Sequence, residues 1–511
     1  MSVSRSTLLA WGMASLCFIV YTTLSLRRHQ LMLTTGYDLG IFEQAVRSYA
    51  HGHLPTADLK GHNYPLLGDH FSPITAIIAP FYRIWPSPIT LLLAQAVLLA
   101  VAVVPLSRWA HRALGTAAAL VIGLGYGVSW GIAQTVGFDF HEVCFAVPLL
   151  AFSLEALGNE RWRAAVAWSL PLLLVKEDLG LTIAVIGGYA AYRGQRRLGF
   201  LAVAAGLAGT LIEMLVVIPA FNPDGVFTYW DKVPDGADDD PLGLLLRYTF
   251  RLVTPETKLI TLLMLLAPTA FIALRSPFML LAVPTLAWRF TSGNEDYWGT
   301  RFHYSAVLMP IVFGAFIHAL TLMRQQNPAR DSARNLHWSL VVSATFTIIT
   351  LPLFPFARLT ESATWQPSPR MAAARHILNM IPDGSTVAAS NRLVPQLTNR
   401  CNVTVFGLPS DHGNPEWVVA DTATSQGWPI SPEKEAQEIA KFREKGYKTV
   451  TETAGYVLLH GTDTAMGSTA TAVPISAVRA HGTSSGHGVT PTVSAVASGR
   501  SRTGIARLAL S

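Results

Sequence analysis

Apolar runs of about 14–22 residues recur through the first 356 positions of this chain, separated by short stretches that carry arginine. Wound as helices rising about 1.5 Å per residue, such runs match the roughly 30 Å of hydrocarbon in a bilayer. Charge content agrees: 14% of the 511 residues are charged and 50% are hydrophobic, where a soluble chain carries roughly a quarter charged residues. The mean hydropathy is +0.35. The pattern therefore predicts an α-helical polytopic membrane protein, with helices near 8–26, 88–106, 113–133, 143–157, 164–175, 179–192, 198–219, 257–274, 277–290, 304–323 and 337–356. The run 164–175 is too short to cross alone, so 164–175 and 179–192 read as a short or re-entrant pair.

Arginine placement gives the orientation. Arg108 and Arg112, Arg161 and Arg163, Arg193, Arg196 and Arg197, Arg275, then Arg324, Arg330 and Arg334 occupy alternate loops. With Met1 in the cytoplasm all of these lie inside, as the bias of short cytoplasmic loops requires. The opposite loops are acidic, notably 224–240 with Asp238, Asp239 and Asp240. This accounts for the net charge of +6 without a nucleic-acid partner. About eleven crossings of the plasma membrane then leave the end of the last helix outside. Cys17 and Cys144 fall in apolar runs and Cys401 stands alone, so no disulfide framework is indicated.

The longest polar interruption of the first half is the outer loop 27–87. Within it, Asp38 heads a segment in which Leu39, Phe42, Ala45, Val46 and Tyr49 recur at helical spacing, a face suited to lie flat on a membrane surface. Asp69 and His70 close the loop before the chain returns to lipid.

Composition changes after residue 356, which ends a transmembrane domain over 1–356. Residues 357–460 read as an extracytoplasmic α/β domain with strands at 385–390, 402–407 and 416–421. Ser431 caps a helix that takes Pro432 at its first position and ends at Gly446, and 447–461 reads as a closing hairpin. The remainder, 461–511, is rich in Ser, Thr, Gly and Ala without apolar periodicity and is expected to be a disordered tail.

On this topology the unusual polar clusters share the outer side: Asp38; Asp69 with His70; Asp139, His141 and Glu142 in GFDFHE; Lys176, Glu177 and Asp178; and Arg301, His303 and Tyr304. Ionisable groups near membrane depth cost about 2.5–3.5 kcal/mol each on insertion scales, so they mark paired or functional positions. Structural alternatives stand beside each: His70 bonded to a loop carbonyl, or Lys176 neutralising Glu177 or Asp178 in a buried ion network.

Taken together, the segments YDLGIFEQAVRSYAHGHLP, LLGDHFSPITAIIAPFY, GFDFHE, KED, TRFHY, SNRLVPQLTNR, EWVVAD and GYKTVTETAGYVLL resemble a bacterial multi-spanning family, domain of unknown function 2079. That family in turn is similar to the membrane glycosyltransferases of the GT-C architecture, including protein mannosyltransferases and lipid A aminoarabinose transferases. The resemblance implies a long first outer loop with a catalytic acid near its start, and a polyprenyl-phosphate sugar as donor. Asp38 falls where the first-loop acid stands. Many relatives carry two adjacent acids there, whereas Leu39 follows Asp38, and Asp69 or Asp139 is the alternative source of a second carboxylate.

Such a reaction needs a carboxylate to activate the acceptor hydroxyl or hold a divalent ion, and cationic donors for the leaving phosphate. Asp38 is the candidate base, with Asp69, His70 and Asp139 as further catalytic candidates. Lys176, Arg301 and His303 are candidate phosphate partners, Arg301 because its fork matches phosphate oxygens. His141, Glu142, Glu177, Asp178 and Tyr304 complete the expected substrate site. A hard ion, Mg²⁺ or Mn²⁺, would take Asp38, Asp69, Asp139 or Glu142; metal independence is the alternative. The expected partners are membrane lipid, the lipid-linked sugar and an envelope acceptor. A transporter, or a non-catalytic scaffold of envelope assembly, is the competing class.

Overall fold

The computed structural model describes residues 5–229, 254–326, 330–408, 413–424 and 426–461. The acidic run Asp238–Asp240 and the tail beyond Gly461 lie outside the described residues. Among the described residues, five helices are long and apolar enough to cross a membrane: Arg5–Gln30, Pro88–Leu114, Arg196–Phe221, Leu308–Gln326 and Ala333–Leu353. A sixth forms if Thr116–Gly127 and Trp130–Val136, bent by 41° at their break, count as one span.

The first helix illustrates the environment. Ala10, Met13, Ala14, Cys17, Tyr21 and Leu24 are buried, while Leu8, Trp11, Leu16 and Ile19 are exposed on the other side. A helix apolar all round, with only one side covered by protein, is built to face lipid with the other. The predicted pair 164–175 and 179–192 is short here too, as a helix over Trp162–Ser169 with a 3₁₀ turn and a helix over Gly180–Tyr192. Gly180–Tyr192 packs tightly on Arg196–Ile212: a Cβ at Gly187 would stand 2.7 Å from the Gly199 carbonyl oxygen. Small residues let two backbones approach this closely in an apolar medium. The predicted helix 257–274 stops at Leu266, where a 3₁₀ turn over Ala267–Thr269 contains Pro268 and Ala270 and Phe271 take left-handed conformations.

The arginines assigned to alternate loops come together. Glu155, buried, accepts from Arg108 at 2.9 Å and Arg112 at 2.6 Å, with Arg161 at 3.7 Å. Arg193 pairs with Glu160 at 2.5 Å.

The C-terminal sheet has strands β1 (Thr386–Ala389), β2 (Asn402–Val405), β3 (Trp417–Asp421), β4 (Lys448–Thr453) and β5 (Tyr456–His460), in the order β2-β1-β3-β5-β4. β1 runs parallel to β2 and β3, and β5 antiparallel to β3 and β4. Alternation along the strands covers both faces. Val387, Ala389, Val403, Val405 and Val419 join the main core, while Ala388, Val418 and Ala420 pack beneath Ile439 of the Pro432–Glu444 helix. Ser431 caps that helix through the Lys434 N–H. The β4–β5 turn uses Ala454 and Gly455, both at positive φ, as a two-residue hairpin of this twist requires.

One expectation is corrected. Leu39, Phe42, Ala45 and Val46 are buried in the protein core, not presented to a membrane surface. The Ile41–Ala50 helix is covered on its apolar face by the protein itself, including the Ala79–Ile84 helix, whose Tyr82 hydroxyl bonds buried Glu43. Its polar residues carry the sheet domain: Gln44 Nε2 donates to the Val403 carbonyl at 3.4 Å and Arg47 to that of Thr398 at 2.6 Å.

Candidate functional site

Asp38 sits in the tight turn Gly36–Gly40 that opens the Ile41–Ala50 helix. That turn is gripped from two sides. Asp139 accepts both the Thr35 N–H, at 2.7 Å, and the Thr35 hydroxyl, at 2.5 Å. From the sheet domain, Asn391 accepts the Gly36 N–H on its carbonyl at 2.8 Å and the Tyr37 N–H on its side-chain oxygen at 3.2 Å. Only glycine fits at position 36, because a Cβ would stand 2.7 Å from Val394 Cγ1. Burial raises the Asp38 carboxyl above its ordinary range, with His141 pulling the other way and Glu142 adding to the rise.

Asp38 lines a cavity of about 300 Å³. Asp69 and His70 form a second wall. Lys60 Nζ lies 2.5 Å from the Asp69 carboxylate, which also accepts from the Tyr229 hydroxyl at 3.2 Å. Burial pushes Asp69 up, but His70 and Lys60 outweigh it and hold the group below the usual aspartate value. His70 Nδ1 meets Glu177 at 2.7 Å, and the Phe71 N–H donates to the same carboxylate at 3.3 Å. The loop thus closes on the polar interruption Lys176–Asp178. Gly68 makes this approach possible: a Cβ there would stand 2.5 Å from the Asn222 backbone nitrogen.

A third wall comes from GFDFHE. Gln95, on the Pro88–Val101 helix, donates to the Asp139 carbonyl at 2.9 Å and accepts the His141 N–H at 3.1 Å. His141 Nδ1 pairs with Glu142, and Lys176 Nζ stands 3.4 Å from the other Glu142 oxygen. The fourth wall is the segment 297–305, organised by the fully buried Arg289. Its guanidinium donates to the carbonyls of Tyr297, Gly299 and Tyr304 and to the Ser305 hydroxyl. This delivers His303 onto His141, ring centroids 3.4 Å apart and nearly parallel at 22°.

Most sequence-derived candidates therefore meet. Asp38, Asp69, His70, His141, Lys176 and Glu177 line the cavity, as do Asp178, His303 and Tyr304. Three do not. Asp139 is buried behind the wall and braces Thr35; Glu142 is buried behind His141. Arg301 is exposed, its guanidinium over the Phe302 ring, because Phe302 at φ +61 turns the chain between them and the cavity-facing His303. Arg301 is thus not a cavity cation. Lys60, Tyr37 and Tyr229 line the cavity without having been singled out from sequence; loop polarity alone does not distinguish them. Arg289 and Asn391 were likewise missed.

The carboxylates suggested for a hard ion are engaged separately: Asp69 with Lys60, Asp139 with Thr35, Glu142 with His141. Asp38 instead shares a cluster with His141 and His303, whose candidate ligand atoms all lie within 4.8 Å of one another. A separate apolar groove, which shares no residue with the cavity and has Arg275 in its lining, is formed by Leu262, Leu266, Met279, Leu280, Val283 and Leu286. Leu286 of the groove and Trp288 of the cavity lie on one helix, Val283–Thr291.

Comparison with known proteins bears on the fold. The family model described as predicted membrane protein (DUF2079) matches residues 28–458. No curated protein matches the chain. Among solved structures, ArnT from Cupriavidus metallidurans bound to undecaprenyl phosphate is similar at 12% identity and a TM-score of 0.56, over 90% of this chain and 99% of that one. The apo state of the same protein matches at 12% identity and a TM-score of 0.51, over 91% and 100%. At this identity the likeness is one of fold, and it spans both the helical part and the sheet domain.

Proposed function

We propose that this chain, which belongs to the DUF2079 family of predicted membrane proteins, is a GT-C-type glycosyltransferase that moves a sugar from a polyprenyl-phosphate donor to a cell-envelope acceptor on the outer face of the plasma membrane. In this reading the chain crosses about eleven times, counting its shorter apolar segments, with the N-terminus in the cytoplasm and the sheet domain outside.

The observation that carries the reading is the single cavity that unites Asp38 with Lys60, Lys176 and the histidines and also presents apolar surface from Ile41, Phe42, Leu66, Met214, Phe227 and Trp288. A lipid-phosphate substrate has these two halves: an anion that needs cations and hydrogen-bond donors, and a long chain that needs apolar surface. The ArnT fold adds support, one of its structures holding undecaprenyl phosphate.

The step is assigned as follows. The acceptor hydroxyl oxygen attacks the anomeric carbon, and the bond from that carbon to the phosphate oxygen breaks. The hydroxyl proton passes to the Asp38 carboxylate, and the lipid phosphate leaves with the bonding electron pair. Lys176 and Lys60 face the charge that develops on the phosphate. Raised by burial, Asp38 is a better proton acceptor than a solvated aspartate.

The test is transfer by protein reconstituted in lipid, supplied with a panel of polyprenyl-phosphate sugars and assayed for released polyprenyl phosphate. Asp38→Asn should lower the rate by about 100- to 10,000-fold while thermal unfolding stays unchanged. Full activity of that variant rejects the assigned base, and failure of the wild-type protein to bind any polyprenyl phosphate rejects the donor class.

A further inference from the structure

The geometry points to a site for a divalent first-row transition metal ion, zinc foremost, held by Asp38, His141 and His303 with a free position towards the cavity. The inference rests on the transferase reading for its use, but its geometry stands apart from it. One Asp38 oxygen would bind the ion and the other would remain for the acceptor proton, a weaker base sufficing where a nearby cation makes the hydroxyl more acidic.

Two imidazoles and one carboxylate on three separate segments converge, with candidate ligand atoms all within 4.8 Å of one another. Ligand bonds of about 2.0–2.2 Å ask for a slightly tighter set, within reach of side-chain rotation. The alternative for His141 and His303 is a stacked pair of neutral core rings. His303 argues against it: the residue is 4% exposed and neither Nδ1 nor Nε2 has a hydrogen-bond partner. Buried polar groups are rarely left so. A metal bond on one nitrogen removes part of that deficit.

His141 is prepared in the way metal-binding histidines are. Its Nδ1 pairs with the Glu142 carboxylate, which leaves Nε2 as the free nitrogen and fixes the ring. A carboxylate behind the imidazole orients the ligand and raises its basicity. Lys176, 3.4 Å from Glu142, holds that carboxylate in turn.

Charge gives a second, independent reason. Among the described residues lining the cavity there are two more carboxylates than ammonium groups: Asp38, Asp69, Glu177 and Asp178 against Lys60 and Lys176. A lipid phosphate entering this acidic cavity adds further negative charge. A dication at the cluster reverses the balance where the phosphate would sit. Imidazole ligands favour zinc and its neighbours over magnesium, which prefers an all-oxygen shell.

The experiment measures metal directly. Wild-type protein purified in detergent, equilibrated with zinc and dialysed, should retain roughly one zinc per chain by elemental analysis. His303→Ala and His141→Ala should each lower retention at least tenfold. Cobalt-loaded wild-type protein should show visible d–d absorption that zinc displaces, a readout that needs no folded variant. Absence of retained metal and of cobalt absorption in the wild type overturns the site, as does undiminished retention in both folded histidine variants. Active metal-free enzyme would sink the metal and spare the transferase, whereas stoichiometric metal in a protein that transfers no sugar would do the reverse.

Discussion

The side-chain oxygen of Asn391 accepts the backbone N–H of Tyr37 at 3.2 Å across a sequence separation of 354, one residue ahead of Asp38. The sheet domain therefore holds the turn that presents the candidate base. Asn391→Ala should lower kcat by about 10- to 100-fold, since small misplacements of a reacting group cost that much. Asn391→Asp, which keeps an acceptor, should lose less. Steady-state kinetics on folded protein checks this; equal activity in Asn391→Ala would make the contact merely structural.

Lys176 and Arg301 should separate sharply. Lys176→Met removes the cation beside buried Glu142 and near Glu177 and half-buried Asp178, and removing one partner of a buried pair costs about 3–5 kcal/mol. Thermal unfolding should fall and donor binding should be lost. Arg301→Ala, at an exposed residue outside the cavity, should change transfer by less than about twofold, in line with surface substitutions. A large loss on Arg301→Ala would restore its phosphate role.

The pH dependence of stability should report Asp69. Its folded-state pKa lies below the ordinary value of 3.8, so the unfolded chain takes up the proton first. Stability from the Lys60–Asp69 pair is then fully present above the ordinary value and fades as pH falls through the lower folded value. Asp69→Asn should destabilise by about 1–3 kcal/mol near neutrality. Unfolding measured against pH should show the gap constant down to about pH 5 and closing below 3.8.

Gly68→Ala should loosen the seat of the first loop. The new methyl would meet the Asn222 nitrogen at 2.5 Å, and backbone cannot yield as a side chain can. A loss of about 1–3 kcal/mol is expected, with the Asn222 Nδ2 bond to the Gly68 carbonyl, now 2.8 Å, weakened. Faster proteolysis within 57–72 would register it.

What the chain discloses in advance depends on range. Local grammar was readable: Ser431 before Pro432, the closing hairpin within 447–461, and the apolar runs of the long helices. The polar interruption Lys176–Asp178 could be singled out because nothing in a lipid environment tolerates it unpaired. The stacking of His141 on His303 could not, since 161 residues lie between them and no local pattern encodes a meeting. Arg301 and His303 were indistinguishable as loop residues; the left-handed Phe302 sends one outward and the other in. The apolar face of Ile41–Ala50 looked the same whether lipid or protein would cover it. Amphipathicity says that a face is covered and is silent on by what.

The clasp of Asn391 on Gly36 and Tyr37 also orders events during biosynthesis. Position 36 leaves the ribosome before position 391, and most of the helical part is made between them. A nascent polypeptide halted anywhere between carries Asp38 without the hand that steadies its turn.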